Sequence, residues 1–139
     1  MITKCDYRIV SPNENYVLLL RNKRRSNSGV GNSMRSVLFT HGATYGSTST
    51  FDYKIEGESW MDKMAEQGFD VWCLDLLGYG QSDRPKEMFV APDLNGPIVD
   101  TAHAIREMDS AVEFVLRHRS ISSLSLIGYS WGSAICCLL

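Results

Sequence analysis

In this chain of 139 residues a serine lies between two glycines, in the sequence Gly128-Tyr129-Ser130-Trp131-Gly132. A short apolar run, Ser123 to Ile127, precedes it and predicts a buried strand, while the apolar residues from Trp131 onward predict a helix. The G-x-S-x-G pattern at a strand-to-helix turn is typical of a serine held outward on a strained bend. Gly128 and Gly132 fit this turn because a Cβ at either position would collide with neighbouring backbone.

Such a turn has a chemical use. A serine hydroxyl is a weak nucleophile and must be presented both to a base and to a substrate carbonyl. The start of the following helix offers unpaired N–H groups and the positive end of a dipole, close to where negative charge would develop. Ser130 is therefore the candidate nucleophile.

Two further glycine-containing turns accompany this one. His41-Gly42-Ala43 follows a predicted buried strand, Ser36 to Thr40, and Gly78-Tyr79-Gly80 follows a second one, Val71 to Leu76. The order and spacing of the three turns are much more specific than any one of them.

The first quarter of the chain differs in pattern. Asp6 to Val10 and Tyr16 to Arg21 predict an antiparallel hairpin around the turn-forming residues Ser11 to Asn15. The segment from Asn22 to Ser36 predicts an exposed loop, because Ser, Asn, Gly and Arg dominate it. The basic run Arg21 to Arg25 is interpreted as a solvated hairpin end rather than a nucleic-acid patch.

Two helices alternate with the later strands. Ser59 to Gln67 predicts a short helix that ends at Gly68, and Asp100 to Arg119 predicts a long helix with one apolar face. Alternating strands and helices predict an α/β fold, a three-layer αβα sandwich whose sheet is mostly parallel apart from the N-terminal antiparallel hairpin.

Composition excludes several classes of protein. With 14 Lys and Arg against 16 Asp and Glu, the net charge of −2 gives no reason to expect nucleic acid as a partner. The four cysteines are scattered and form no C-x-x-C pair, so neither a disulfide framework nor a zinc site is expected. The charged N-terminus does not resemble a signal peptide, and no apolar run approaches the roughly 18 residues of a membrane span. We therefore expect a cytoplasmic protein without a metal or organic cofactor.

At its three turns the chain resembles the α/β-hydrolase family of the serine hydrolase type, from about residue 5 to the C-terminus. The resemblance implies that Ser130 is the nucleophile. It implies that the backbone N–H of Trp131 is one donor of the oxyanion hole and that of Ala43 or Thr44 the other. His41 and Gly42 would then support this loop. A role of Asp75 as the triad acid is disfavoured because Asp75 precedes Ser130 in the chain. We expect Asp75, Ser82 and Asp83 instead to anchor the loop after Val71 to Leu76.

The sequence departs from the family pattern after Ser130. The catalytic triad of this family runs in the order Ser, then Asp or Glu, then His. Only nine residues follow Ser130, and none of them is Asp, Glu or His. We do not expect His41, His103 or His118 to act as the base. His41 lies before the oxyanion loop, and the other two lie on a helix that is expected to pack on the outside of the sheet. We therefore expect residues 1–139 to be the N-terminal portion of a single, truncated α/β-hydrolase domain, with the acid, the histidine, the lid and the last strands beyond Leu139.

This expectation predicts the behaviour of the chain. The strand Ser123 to Ile127 would lie on an open sheet edge, so the 139 residues alone should fold poorly and be inactive. The intact protein is interpreted as a serine hydrolase of small acyl compounds, namely esters, lactones, thioesters, amides or activated C–C bonds. Two alternatives remain open: a non-catalytic binding protein of the same fold, and an acyltransferase that uses the same turn. A dinucleotide fold is disfavoured because neither later glycine turn fits G-x-G-x-x-G.

Overall fold

The computed structural model describes residues 1–13, 15–26 and 35–139. Five strands and four α-helices follow one another along these residues: β1 (Ile2–Val10), β2 (Val17–Arg25), β3 (Ser36–Thr40), α1 (Ser47–Phe51), α2 (Trp60–Glu66), β4 (Asp70–Asp75), α3 (Thr101–Arg119), β5 (Ser125–Gly128) and α4 (Trp131–Leu138). Two short 3-10 turns, Lys86–Phe89 and Pro92–Leu94, lie between β4 and α3. Residues 27–34 of the predicted exposed loop, and residue 14 of the predicted hairpin turn, lie outside the described residues.

The strands form one sheet in the order β1-β2-β4-β3-β5. The predicted N-terminal hairpin is confirmed: β1 and β2 are antiparallel, with Val10 opposite Val17 and Ile2 opposite Arg25. Strand β2 also pairs antiparallel with β4, whereas β3 is parallel to both β4 and β5. The described sheet is therefore mixed, and its parallel part consists of β4, β3 and β5.

The prediction of a solvated hairpin end at Arg21 to Arg25 was wrong for its first three residues, whereas Arg25 is exposed. Asn22 to Arg25 continue strand β2 instead of starting a loop, and Arg21, Asn22 and Lys23 are buried rather than solvated. The apolar pattern stops at Leu20, so nothing local to the sequence indicates that the strand continues.

Carboxylates from other segments explain why these cations are buried. Arg21 Nε lies 2.7 Å from Asp6 on β1, and its Nη1 lies 3.1 Å from Asp52, which follows α1. Lys23 Nζ lies between Asp52 and Asp62, the latter 2.6 Å away on α2. Charged groups are buried in proteins when they are paired and hydrogen-bonded, and each cation here has two acidic partners.

Helices pack on both faces of the sheet. Helices α3 and α4 cover one face, where the core comprises Leu18, Leu20, Leu38, Trp72, Leu74, Met108, Ala111, Val115 and Ile135. Helices α1 and α2 cover the other, where the core comprises Val37, Phe39, Val71, Cys73, Phe51, Met61 and Ala65. Successive strand residues alternate between the two cores, as the period-2 geometry of a strand requires.

The helix boundaries follow local signals. Helix α2 begins after Ser59, whose side chain accepts from the Asp62 N–H while Asp62 accepts from the Ser59 N–H, a complete capping box. Helix α3 begins after Asp100, which accepts from the His103 N–H at 2.8 Å. Helix α1 has no counterpart among the predicted helices.

Strand β5 begins two residues later than predicted and ends at Gly128. Within the described residues it pairs with β3 alone, so it forms an edge of the sheet, as expected. Its residues are half-buried or exposed, whereas every residue of β3 and β4 is buried. In the described part of the chain, no helix is both long and apolar enough to cross a membrane.

Candidate active site

The three turns singled out from the sequence meet at one end of the parallel strands. Thr40 at the end of β3 lies opposite Leu74 of β4 and Gly128 of β5. The residues that follow each strand therefore emerge side by side. The carboxyl ends of parallel strands are where ligands bind in open α/β sheets.

Ser130 is exposed in the turn between β5 and α4, with φ 54° and ψ −120°. A non-glycine residue with positive φ is strained, by about 1–3 kcal/mol, and persists only where its surroundings enforce it. Three backbone hydrogen bonds enforce it here, from Tyr129 to Thr40 (3.1 Å), from Gly132 to Tyr129 (2.9 Å) and from Ser133 to Ser130 (2.9 Å). Among residues 1–13, 15–26 and 35–139, no group hydrogen-bonds the Ser130 hydroxyl.

The two glycines of the motif allow the turn to close. A Cβ on Gly128 would lie 2.3 Å from the Gly132 carbonyl oxygen, and a Cβ on Gly132 would lie 2.5 Å from the Thr40 carbonyl oxygen. Both distances are far inside van der Waals contact, and both contacts are to backbone. The strand, the turn and the helix can therefore approach this closely only with glycine at both positions.

The loop after β3 lies against the same turn. A Cβ on Gly42 would be 3.0 Å from Ser130 Cβ, so the backbone of this loop passes directly beside the serine. Ala43 and Thr44, the next two residues, are exposed. No acceptor in the described part of the chain is bonded to the backbone N–H of Ala43, Thr44 or Trp131.

His41 is completely buried beneath this loop. Its Nδ1 lies 2.6 Å from the Gly42 carbonyl oxygen, and its Nε2 lies 3.1 Å from the Leu76 nitrogen. A carbonyl only accepts and an amide only donates, so Nδ1 carries the proton and Nε2 accepts. Burial lowers the pKa of His41, which agrees with a neutral ring.

Asp75 joins the loop after β4 to the start of α1. Its carboxylate is buried and accepts from the backbone N–H of Thr48 (3.0 Å), from the Thr48 hydroxyl (2.9 Å) and from the backbone N–H of Gln81 (3.0 Å). Gly80 passes so close that a Cβ there would lie 2.0 Å from Asp75 Oδ2. These bonds occupy Asp75 with the loop itself.

Ser82 and Asp83 join the same loop to β2. The Ser82 hydroxyl donates to the Asp75 carbonyl oxygen and accepts from the Leu19 N–H at 2.8 Å. Asp83 accepts from the Val17 N–H at 2.8 Å through its carboxylate. Both residues therefore fix the loop to strand β2.

The other two histidines have partners elsewhere. His103 Nδ1 lies 2.7 Å from Asp100 at the start of α3, and His118 Nε2 lies 3.2 Å from the Tyr7 hydroxyl near the end of that helix. Burial is the main cause of the lowered pKa of His118. Among the described residues, no three His, Cys, Asp or Glu side chains cluster as metal ligands would.

Glu107 is a buried carboxylate on α3 that was not among the residues predicted from the sequence. It accepts from the Leu77 N–H at 2.9 Å and from the Ser11 hydroxyl at 2.9 Å, so it connects α3 with the loop after β4 and with the hairpin turn. Burial raises the pKa of Glu107, and these hydrogen bonds oppose the rise. A signal was present: Glu107 lies on the apolar stripe of α3, next to Met108 and between Ala104 and Ala111.

Comparison with known proteins gives a clear family. A family model described as the alpha/beta hydrolase fold matches residues 35–139. A search of curated proteins gives no significant match. Among solved structures, an epoxide hydrolase from Vigna radiata is 14% identical with a TM-score of 0.67, and the match covers 98% of this chain and 34% of that one.

Two other solved structures are similar to the same extent. The 2-hydroxy-6-oxo-6-phenylhexa-2,4-dienoate hydrolase from Rhodococcus sp. strain RHA1 is 19% identical with a TM-score of 0.63, covering 100% of this chain and 42% of that one. A thioesterase domain from the curacin biosynthetic pathway is 15% identical with a TM-score of 0.64, covering 98% and 38%. This chain thus spans between 34% and 42% of the length of these three structures. Because the family model matches well over half of the chain, the chain belongs to the α/β hydrolase fold family.

Proposed function

We propose that Ser130 is the nucleophile of a serine hydrolase that acts on small acyl compounds. One observation supports this proposal most strongly. Ser130 is exposed and strained at a strand-to-helix turn, with its hydroxyl unbonded within the described residues and with the loop after β3 directly beside it. Strain of this kind clusters at active sites, where it presents a reacting group.

The proposed reaction is acyl transfer through an acyl-enzyme. The Ser130 oxygen attacks the substrate carbonyl carbon and loses its proton to a histidine base. The resulting oxyanion accepts hydrogen bonds from the Trp131 N–H and from the N–H of Ala43 or Thr44, which have no other acceptor in the described chain. The leaving group departs when the carbonyl re-forms. Water then attacks the acyl-enzyme and releases the acid and Ser130.

We propose that the histidine base and the acid that orients it lie outside residues 1–139. His41, His103 and His118 are each bonded elsewhere, and Asp75 is bonded within its own loop. We propose that residues 1–139 are the N-terminal portion of one α/β-hydrolase domain. The helices on both faces of the sheet agree with a three-layer αβα arrangement, and the short span relative to the solved structures agrees with missing parallel strands.

The substrate class follows from the nucleophile. A serine forms an ester with an acyl group, so esters, thioesters, amides and activated C–C bonds are the compounds that it would cleave. Two of the similar structures, a thioesterase domain and a hydrolase of an oxo-dienoate, are named for carbonyl substrates, whereas others are epoxide hydrolases. The serine at position 130 favours the carbonyl substrates. We propose that this reaction needs no cofactor and takes place in the cytoplasm.

Hydrolysis of p-nitrophenyl butyrate by the full-length gene product tests this function. Ser130→Ala removes the attacking oxygen, and kcat should fall by a factor on the order of 10⁶. Ser133→Ala is the matched control, because Ser133 is exposed one helical turn away and its hydroxyl donates to the Gly128 carbonyl at 2.8 Å. It should keep most of the activity.

Either of two results would overturn the proposal. Activity that survives Ser130→Ala would show that another residue is the nucleophile. A folded full-length protein that hydrolyses none of a panel of esters and thioesters, and transfers none of their acyl groups, would favour the non-catalytic binding protein.

A further inference from the structure

Tyr79 links the turn after β4 to the loop beside Ser130. It is half-buried, and its hydroxyl donates to the Ala43 carbonyl oxygen at 2.8 Å. Its ring lies on His41, with 4.5 Å between the ring centroids and 49° between the planes. Tyr79 therefore contacts both the exposed loop and the buried imidazole beneath it.

The geometry of the peptide bond gives this contact a consequence. The carbonyl of one residue and the N–H of the next belong to one planar, trans unit, so they point in opposite directions. The Ala43 carbonyl shares its unit with the Thr44 N–H, and the Gly42 carbonyl shares its unit with the Ala43 N–H. A side chain that holds either carbonyl also fixes the direction of the N–H beyond it.

Both units are held in this way. His41 Nδ1 donates to the Gly42 carbonyl at 2.6 Å, and Tyr79 Oη donates to the Ala43 carbonyl at 2.8 Å. The Thr44 N–H is therefore directed away from Tyr79, with no acceptor among the described residues. Burial raises the pKa of Tyr79, so the hydroxyl keeps its proton at neutral and mildly alkaline pH and remains a donor.

We propose that Tyr79 is a positioning residue for acyl transfer at Ser130, and that its hydroxyl holds the Ala43 carbonyl and so fixes the loop whose Ala43 or Thr44 N–H donates to the oxyanion. This inference rests on the proposed function and adds a residue to it. A donor held in place before the reaction stabilises the transition state more than the substrate, because negative charge develops on the oxygen only as the bond forms.

The test uses Tyr79→Phe in the full-length gene product, which keeps the ring on His41 and removes the hydroxyl. Loss of a whole oxyanion donor lowers kcat about 100- to 1,000-fold, and a donor that is present but misdirected should cost less, about tenfold. We expect kcat for p-nitrophenyl butyrate to fall about tenfold while KM changes less than about twofold. Affinity for an alkyl trifluoromethyl ketone, which forms an oxyanion on Ser130, should fall by the same factor as kcat.

Tyr7→Phe is the matched control. Tyr7 is also half-buried, and its hydroxyl hydrogen-bonds His118 Nε2 at 3.2 Å, near the far end of α3. Both variants lose one hydroxyl, and both should lower the urea midpoint of unfolding slightly. Only Tyr79→Phe should change kcat and the affinity for the ketone.

The outcomes separate this inference from the proposed function. If Ser130→Ala abolishes activity but Tyr79→Phe matches the wild type in kcat and in ketone affinity, the positioning role is wrong and the nucleophile stands. An equal loss of kcat in Tyr79→Phe and Tyr7→Phe would show general destabilisation and would also overturn the role. If activity survives Ser130→Ala, the proposed function itself fails.

Discussion

The two edges of the sheet, β1–β2 on one side and β5–α4 on the other, differ in which kinds of side chain are buried. On the β1–β2 side charged residues are buried: Arg21 is 8% exposed and Lys23 is 4% exposed, each held by two carboxylates. On the β5–α4 side apolar residues are exposed: Leu138 is 63% exposed and Leu139 is 43% exposed. Burial at each edge therefore depends on the segments that pack against a residue and not on whether that residue is charged or apolar.

This difference bears on the candidate active site. Ser130 lies between β5, an edge strand of the described sheet, and α4, whose last residues are exposed. Its strained turn is held by contacts with β3, namely the hydrogen bond from Tyr129 to the Thr40 carbonyl and the close packing of Gly132 on Thr40 and His41. The shape of the turn thus depends on β3 and on the loop that follows it.

The largest expected effect concerns the exposed side. Residues 1–139 expressed alone should aggregate and show no esterase activity, because β5 presents unpaired backbone groups and α4 presents apolar side chains. Size-exclusion chromatography and urea unfolding measure this directly. A monomer that unfolds cooperatively would show that the β5–α4 edge is stable without further chain packed against it.

On the charged side, removal of one cation should be strongly destabilising. Lys23→Met removes the cation between Asp52 and Asp62. Asp52 keeps its pair with Arg21, whereas Asp62 keeps the capping bond from the Ser59 N–H and a distant, exposed Lys54 at 4.0 Å. Loss of one partner from a buried ion pair costs about 3–5 kcal/mol, and a loss of about 3 kcal/mol in the free energy of unfolding is expected here. Urea denaturation of the full-length protein provides the measurement.

Lys63→Met serves as its control. Lys63 pairs with Glu58 at 2.5 Å, but both side chains are largely exposed. Exposed pairs contribute little because water and salt screen them, so the control should unfold as the wild type does. Equal losses in the two variants would mean that burial adds nothing to the pairs of Lys23.

A smaller effect is expected at the turn itself. Gly128→Ala places a Cβ 2.3 Å from the Gly132 carbonyl, so the turn must open, at about 1–3 kcal/mol and with loss of activity. Gly96→Ala is the control, because nothing lies within 4 Å of the added Cβ. Chemical denaturation and ester hydrolysis would be compared for both variants. Full activity in Gly128→Ala would show that the narrow turn is unnecessary.

The smallest effect is expected at Glu107, next to the hairpin turn, where a substitution should change the pH dependence of the free energy of unfolding. Burial raises the pKa of Glu107 in the folded state, so the folded protein holds this proton at pH values where the unfolded chain has lost it. The stabilisation from protonated Glu107 is full below its unfolded pKa, near 4.5, and is lost as pH rises through its folded pKa. Glu107→Gln should remove this decline.

Urea midpoints for the wild type and Glu107→Gln between pH 4 and pH 8 show the difference. The wild type should lose stability relative to the variant as pH rises through this range. A constant difference between the two proteins at every pH would mean that Glu107 has the same pKa in the folded and unfolded states.

Much of this fold was predictable from the sequence because its signals are local. The apolar runs of β3 and β4, the apolar stripe of α3 and the G-x-S-x-G turn each lie within a few neighbouring residues. The position of Ser130 on a strand-to-helix turn followed from the same short pattern.

The rest depends on contacts between distant parts of the chain. Lys23 is buried by Asp52 and Asp62, which lie 29 and 39 positions away, so its own neighbours gave a wrong prediction. Helix α1 is short and consists mainly of Ser and Thr, which favour helices weakly, and the bonds from Thr48 to Asp75 help to hold it. The contact between Tyr79 and Ala43 joins two loops 36 positions apart.

The identity of the nucleophile is tested most directly by labelling the full-length gene product with a fluorophosphonate and mapping the modified peptide by mass spectrometry. The phosphonyl group should be found on Ser130, and Ser130→Ala should remove the label from an otherwise folded protein. A label on another residue, or one that persists in Ser130→Ala, would show that Ser130 is not the nucleophile.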